Sequence, residues 1–148
     1  MATIIKTSIT VNKPVEIAWD AFMNPANLQH WLTGFVSSTN IQGKAGEIGS
    51  QNKVVFKERG KEIVFTERVI LIIPMQHYQF EMEHESMNSE NDMRFISFGD
   101  YTEIIQTVKP FPKSFLMKLL MPFIKGSLKK TMTKDLFNLK KIIEATNK

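Results

Sequence analysis

The hydrophobic pattern changes period along the chain, and this change limits the possible folds more than any other sequence feature. Residues 3–11 alternate between apolar and polar side chains, which is typical of a half-buried strand. Residues 15–32 follow a helical period, residues 35–109 lose it, and residues 115–143 regain it along one apolar stripe. The order of a strand, helices, strands and a helix predicts an α+β domain over residues 1–148.

Two short helices are predicted directly after the first strand. Pro14 and Pro25 each stand where a helix is expected to begin, because a proline in the first turn loses no needed N–H group. We expect the first helix to end near Met23 and the second to end before Gly34.

Six further strands are predicted between residues 35 and 109, because turn-forming residues divide this stretch into strand-length pieces. In residues 77–85, aromatic and apolar side chains alternate with polar ones, so one face of the sheet should meet water. The separators are short, so neighbouring strands should pair antiparallel. The turns are expected at 43–46, 59–60, Pro74, Asn88-Ser89 and 99–100.

The closing apolar stripe predicts one long helix over residues 115–143, with a kink or a break at Pro122. A helix is about 10 Å across and covers only two or three strands spaced about 4.8 Å apart. A seven-stranded sheet must therefore curl around this helix. We expect the space between them to hold a small apolar ligand.

The composition removes several kinds of chemistry. The chain has 148 residues, enough for one core, and it contains no cysteine. Disulfide frameworks, Cys-ligated metals and thiol nucleophiles are therefore excluded. The sequence contains no apolar run of membrane-spanning length, and residues 1–14 lack the long apolar stretch of a signal peptide, so a cytoplasmic protein is expected.

The positive charge is concentrated in the last quarter of the chain. Residues 113–148 carry nine lysines and two acidic residues. We expect these lysines to form the solvated face of the last helix, and docking on an anionic membrane surface is the alternative. No exposed aromatic platform alternates with the lysines, so nucleic acid is not an expected partner.

Alternation within the strands predicts the side chains that line the concave face. Tyr78, His84 and Gln106 are polar members of this set, and Asn52 is a weaker one. Either they hydrogen-bond the polar end of a ligand, or they satisfy one another or a buried water. The complete predicted lining is Asn52, Val54, Phe56, Tyr78, Phe80, Met82, His84, Met93, Phe95, Ile104, Gln106 and Val108 from the strands, with Leu120, Ile124 and Leu128 from the last helix.

The facing of residues 61–73 is ambiguous, because apolar residues occur at both parities, with Glu67 on one face and Arg68 on the other. We expect Glu67 to lie in solvent or to pair with Arg68 or Arg94. The alternative is an inward carboxyl whose pKa is raised by desolvation.

Metal sites, nucleophile sites and cofactors are not expected. His77 and His84 have opposite parity on one strand and should point to different faces. No serine stands in a nucleophile elbow. The glycines of residues 43–49 do not open a helix, so turn geometry explains them better than a phosphate cradle.

Six motifs stand in a fixed order along the chain: VNKPVEIAWDAF at 11–22, NPANLQHW at 24–31, GKAGEIGS at 43–50, TERVILIIP at 66–74, F-x-x-x-G-D-x-T-E-I at 95–104 and DLFNLKKIIE at 135–144. Together they resemble the SRPBCC superfamily, which includes START domains and birch-pollen-type allergens, and within it the polyketide cyclase/dehydrase and lipid-transport-like branch. The resemblance implies a helix-grip fold, with a seven-stranded curved antiparallel sheet around the last helix. It also implies a cavity for lipids, sterols, polyketides or similar molecules, with catalysis in some branches.

Three functions follow as expectations. The first is a non-enzymatic binder or carrier of a small hydrophobic molecule. The second is a cyclase or dehydratase that uses the same polar residues, with His84 as a general base. The third is a module that meets a membrane surface or another protein through the basic helix.

Overall fold

A computed structural model describes residues 3–146, and its elements confirm the predicted order of one strand, two short helices, six strands and a long helix. The elements are β1 (Ile5–Val11), α1 (Val15–Met23), a 3-10 turn (Pro25–Asn27), α2 (Leu28–Trp31), β2 (Phe35–Gln42), β3 (Gln51–Glu58), β4 (Lys61–Ile73), β5 (His77–Glu83), β6 (Met87–Ser97), β7 (Thr102–Pro112) and α3 (Phe115–Glu144).

All seven strands form one antiparallel sheet in the order β1-β7-β6-β5-β4-β3-β2. Strands β2 to β7 follow one another as hairpins, and β1 joins beside β7. The first and second strands therefore form the two edges of the sheet. This is the predicted helix-grip arrangement of the α+β class.

One predicted turn is wrong. Asn88 and Ser89 lie inside β6, where they pair with Phe111 and Pro110 of β7. Both residue types favour turns, but pairing with a long neighbouring strand overrides that preference. The turn is instead formed by residues 84–86, and β7 extends to Pro112 rather than ending near residue 109.

A bulge in β4 explains why the facing of residues 61–73 is ambiguous in the sequence. Val69 pairs with Phe80 and Leu71 with Gln79, so Ile70 is an extra residue between two consecutive pairs. One extra residue reverses the parity of the strand. Glu67 and Val69 face the concave side before the bulge, and Ile72 faces it afterwards.

The main core lies at one end of the concave face, where α1 and α2 pack between the sheet and the second half of α3. Trp19 and Phe22 of α1 contact Phe95 of β6, with ring centroids 5.0 and 5.2 Å apart. Leu139 and Ile143 of α3 are fully buried in the same cluster. This packing closes one end of the space between the sheet and α3.

Helix α3 is continuous across Pro122, so the expected break does not occur. Pro122 and Lys118 are both exposed. Water therefore reaches the backbone carbonyl of Lys118, which loses its intrahelical partner because Pro122 has no N–H group.

No helix within residues 3–146 is long and apolar enough to cross a membrane.

Candidate functional site

The concave face of the sheet consists of rows of side chains that cross the strands, because directly paired residues of neighbouring strands point to the same face. The Tyr78 row contains Thr7, Gln106, Met93, Tyr78 and Ile72. The Phe80 row contains Ile5, Val108, Asn91, Phe80 and Val69. The Glu67 row contains Pro110, Ser89, Met82, Glu67, Asn52 and Asn40.

A chain of hydrogen bonds runs along the Glu67 row. The Nδ2 group of Asn40 donates to Oδ1 of Asn52 at 3.2 Å, and the Nδ2 group of Asn52 donates to Oε1 of Glu67 at 2.9 Å. Desolvation raises the pKa of Glu67, and the hydrogen bond from Asn52 opposes part of that increase. The row therefore places a titratable carboxyl in a desolvated position on the concave face.

The expectation that Glu67 is solvated or ion-paired is wrong. Arg68 points to the convex face and approaches Glu81 at 3.8 Å, and Arg94 approaches Asp92 at 3.7 Å. The reason is the position of the bulge, which lies after Glu67 in β4. Glu67 therefore keeps the parity that places it beside Met82 on the concave face, and the apolar residues after the bulge have the opposite parity.

Tyr78 lies between the core and the open part of the concave face. Its ring packs edge-on against Phe22 at 5.4 Å and tilts toward Phe80 at 5.7 Å. Desolvation raises the pKa of Tyr78, and the charge of Glu67 raises it further. The phenol therefore stays protonated at neutral pH.

Gln106 carries a buried polar atom without a partner. Its Oε1 atom accepts no hydrogen bond from any group in the part of the chain that the structure describes. The neighbouring Thr7 side chain is 3.4 Å from Thr133 of α3. Gln106 and Tyr78 are separated in their row by Met93, two strand spacings or roughly 10 Å.

His84 does not meet the other two predicted polar residues. It follows the end of β5 and lies six residues beyond Tyr78, roughly 20 Å along the strand direction. Its Nδ1 atom lies 2.9 Å from the hydroxyl of Ser86, and its ring centroid lies 5.3 Å from that of Phe65. Tyr78, His84 and Gln106 thus do not surround a single point.

Aromatic side chains line the far part of the concave face. Phe35, Phe56 and Phe65 form a ladder across β2, β3 and β4, with ring centroids 6.0 and 5.8 Å apart. Phe56, Phe65, Phe80 and Met82 are only half-buried. Helix α3 packs mainly on β1, β7 and the two short helices, and therefore leaves this part uncovered. We call the space between α3 and the uncovered strands the groove.

Several predicted lining residues lie elsewhere. Met93, Phe95 and Ile104 are at most 5% exposed and belong to the core that closes one end of the groove. Leu120 is 40% exposed and points away from the sheet, because the phase of the helix places Met121, at 8% exposure, on the sheet side instead. Ile124 and Leu128 are half-buried, and Leu128 packs beside Val108.

The three rows also contain polar residues that are absent from the predicted lining, namely Thr7, Asn40, Ser89 and Asn91. Ser89 and Asn91 have the same parity in β6 as Met93, and this signal is present in the sequence. The predicted turn at Asn88-Ser89 begins the strand too late, so that Ser89 and Asn91 are left out of its concave-face residues. Asn40 follows from no sequence pattern, since a second irregularity in pairing lies beside it.

Two clefts lie outside the groove. One, of about 340 Å³, is on the convex face beside Gln79 and Asp92. In it, Asp92 Oδ2 lies 2.6 Å from Nε2 of His77, so His77 and His84 do point to opposite faces. The other is a shallow cleft of about 560 Å³ between β1 and α3, with three lysines among its lining residues.

A buried carboxyl outside the groove serves the fold. Asp135 of α3 accepts hydrogen bonds from the backbone N–H of Thr33 at 3.0 Å and from its hydroxyl at 2.5 Å. Desolvation raises the pKa of Asp135, while the bonds from Thr33 and the charge of Lys134 oppose that increase. These bonds tie the segment between α2 and β2 to α3.

Comparisons with known proteins agree with this geometry. Residues 2–144 match the family described as polyketide cyclase / dehydrase and lipid transport. No curated protein matches the chain at a significant level.

Three solved structures illustrate the similarity in fold. The Zhui aromatase/cyclase from Streptomyces sp. R1128 has a TM-score of 0.81 at 10% identity, over 97% of this chain and 94% of that one. Ara h 8.0201 has a TM-score of 0.79 at 13% identity, over 99% and 100%. Norcoclaurine synthase from Thalictrum flavum, in complex with dopamine and hydroxybenzaldehyde, has a TM-score of 0.71 at 18% identity, over 100% and 90%. At these identities, the similarity shows a shared fold.

Proposed function

We propose that this chain, which belongs to the polyketide cyclase / dehydrase and lipid transport family of the SRPBCC superfamily, binds a small hydrophobic molecule in the groove. The observation that carries the proposal is a half-buried aromatic and apolar surface that also carries polar groups without full hydrogen bonding. Gln106 Oε1 is a buried acceptor without a partner within residues 3–146, and Asn52 donates a hydrogen bond to one oxygen of Glu67.

Apolar burial supplies the affinity. The half-buried side chains of Phe56, Phe65, Phe80 and Met82 lose further contact with water when a ligand covers them. Each Å² of apolar surface removed from water contributes about 25 cal/mol. The shape and volume of the ligand therefore set the affinity more than its charge does, and the flexible Met82 adapts to different shapes.

The polar groups restrict the part of the ligand that reaches them. The Tyr78, Phe80 and Glu67 rows contain no lysine or arginine, and their one ionisable carboxyl is Glu67. An anion at this place would lie beside a carboxyl without a compensating cation. The end of the ligand that contacts Glu67 is therefore an uncharged or cationic donor, such as a hydroxyl or an amine.

The binding proposal is tested by filling the groove. The variant Met82→Trp adds a large side chain to the Glu67 row, whereas Ile70→Trp adds the same side chain at an exposed position of the convex face. Titration with Nile red, an uncharged apolar dye, should show saturable binding to the native protein that weakens at least about tenfold in Met82→Trp. Equal affinity for the native protein and both variants would place the dye outside the groove.

A second candidate is an acid–base enzyme, and the specific observation in its favour is the Glu67 carboxyl with a raised pKa. A cyclase or dehydratase needs two such groups within about 3 Å of a reacting centre, and Glu67 and Tyr78 are the pair that the groove offers. Turnover of a polyketide-like substrate that is lost in both Glu67→Gln and Tyr78→Phe, with binding retained, would favour the enzyme. A carrier shows changes in affinity alone.

A further inference from the structure

The first turns of α3 carry an apolar surface that nothing in residues 3–146 covers. We call it the apolar patch, and its exposed fractions are 76% for Phe115, 64% for Leu116, 59% for Leu119, 40% for Leu120 and 78% for Phe123. Five large apolar side chains exposed within nine residues form a continuous surface rather than scattered exposure. Such patches mark places where a protein meets a membrane or another protein.

The phase of the helix shows that the apolar patch does not belong to the groove. Successive residues turn by about 100° around a helix axis. The apolar patch and the buried side chains of Met132, Leu136, Leu139 and Ile143 therefore lie on roughly opposite sides of α3. While the second half of the helix keeps its packing on β1 and the short helices, the patch points outward.

A basic cleft lies directly beyond the apolar patch on the same helix. It is the shallow cleft between β1 and α3, and its lining includes Lys129, Lys130 and Lys134 together with the hydroxyl-bearing Ser8. The Thr133 hydroxyl in the same lining already donates to the backbone oxygen of Lys129. We call it the lysine cleft. Lysines and hydroxyl groups are donors that suit phosphate oxygens.

The charge around these two surfaces is strongly positive. Residues 113–148 carry nine lysines and two acidic residues. One of the two acids, Asp135, is buried against Thr33 and contributes little to the surface. A second copy of the chain seated on the patch would bring two such basic helices together, which like-charge repulsion disfavours.

We propose that the apolar patch and the lysine cleft dock on an anionic phospholipid bilayer. The apolar side chains enter the boundary between headgroups and acyl chains, and the lysines contact the phosphates beside it. This docking holds the protein at the membrane surface without a spanning helix. It is independent of what the groove binds.

Vesicle sedimentation tests the proposal with the full chain. The protein should pellet with phosphatidylcholine vesicles that contain phosphatidylglycerol, at least about tenfold more than with phosphatidylcholine alone, and the difference should shrink in high salt. The variants Leu119→Ser/Phe123→Ser and Lys130→Glu/Lys134→Glu should each reduce pelleting at least about fivefold.

Matched controls separate the patch from general changes in hydrophobicity and charge. Ile48→Ser removes an apolar side chain that is 58% exposed between β2 and β3, and Lys53→Glu/Lys57→Glu reverses two exposed charges on the convex face of β3. Both controls should pellet like the native protein. Phe115→Ser alone serves if the double patch variant does not fold.

Two results would overturn the proposal. One is pelleting that is the same with and without phosphatidylglycerol, or that the controls change as much as the patch variants do. The other is a concentration-dependent dimer in sedimentation velocity that Leu119→Ser/Phe123→Ser abolishes without affecting vesicle binding, because a second copy would then cover the patch.

Discussion

Asn52 and Glu67 face each other across the β3–β4 pair, and the Asn52 amide donates a hydrogen bond of 2.9 Å to the Glu67 carboxyl on the concave face. Only neutral partners reach this carboxyl within residues 3–146. Glu67 is therefore held by one amide hydrogen bond in surroundings that disfavour its charge, and its ionisation affects both stability and ligand choice.

The variant Glu67→Gln should stabilise the protein at neutral pH. Desolvation raises the pKa of folded Glu67 above that of an ordinary glutamate, so the folded state keeps this proton to a higher pH than the unfolded state does. The stability that the protonated form contributes is complete below the unfolded pKa and is lost as the pH rises through the folded pKa. We expect a gain of about 1 kcal/mol for Glu67→Gln at neutral pH, shrinking toward zero in acid.

Urea unfolding of both proteins over a series of pH values measures this difference. Glu83→Gln, at an exposed position at the end of β5, is the control, and its free energy of unfolding should stay close to that of the native protein. A Glu67→Gln protein that is less stable than the native one at neutral pH would show that hydrogen bonding to the carboxylate outweighs its desolvation.

The hydrogen bond from the Thr33 hydroxyl to Asp135 should matter most where Asp135 is ionised. Removing it by Thr33→Val leaves the buried carboxylate with the backbone N–H as its remaining hydrogen bond from Thr33, and raises its pKa further. We expect a loss of about 1.5 kcal/mol at neutral pH and a smaller loss in acid. Urea unfolding measures this loss, and Thr39→Val, which changes an exposed threonine of β2, is the control. Equal losses in the free energy of unfolding for the two variants would contradict the expectation.

Both the backbone conformation at position 34 and the lack of room for a side chain there require glycine. Its φ is +77°, and an added Cβ atom would lie 2.6 Å from the backbone oxygen of Lys57. Gly46 has a similar φ of +84° but open space around it. Gly34→Ala should cost about 3 kcal/mol and Gly46→Ala about 1 kcal/mol, because the second pays for backbone strain alone.

Equal losses for the two glycine variants in urea unfolding would mean that the Lys57 carbonyl moves aside easily. A smaller loss at Gly34 than at Gly46 would contradict the described approach of the β2 and β3 backbones. The comparison needs no ligand and therefore tests the edge of the sheet directly.

Most of the fold follows from local signals. Helical segments begin at Val15, directly after Pro14, and at Pro25, close to the predicted starts. The alternation of residues 77–83 gives the correct faces of β5. The errors occur where a tertiary constraint overrides a local preference. Asn88 and Ser89 are turn formers that pairing with β7 holds in a strand, and Ile70 forms a bulge that no apolar count reveals.

The site is less predictable, because it depends on register between strands. Tyr78 and Gln106 share a row only because Met93 pairs with both of them. Glu67 faces inward because the bulge lies after it in β4, and parity alone leaves its facing open. The direction of Leu120 depends on the phase of a helix whose apolar stripe moves around its axis, which a list of apolar positions does not show.

Chemical-shift mapping by NMR tests the central claim most directly, with naphthol as a small apolar ligand that carries one hydroxyl donor. We expect saturable shifts at Phe56, Phe65, Phe80, Met82 and Glu67 in the native protein, and their loss in Met82→Trp but not in Ile70→Trp. Shifts that do not saturate, or that are confined to the convex face or to the outer side of α3, would contradict a ligand site in the groove.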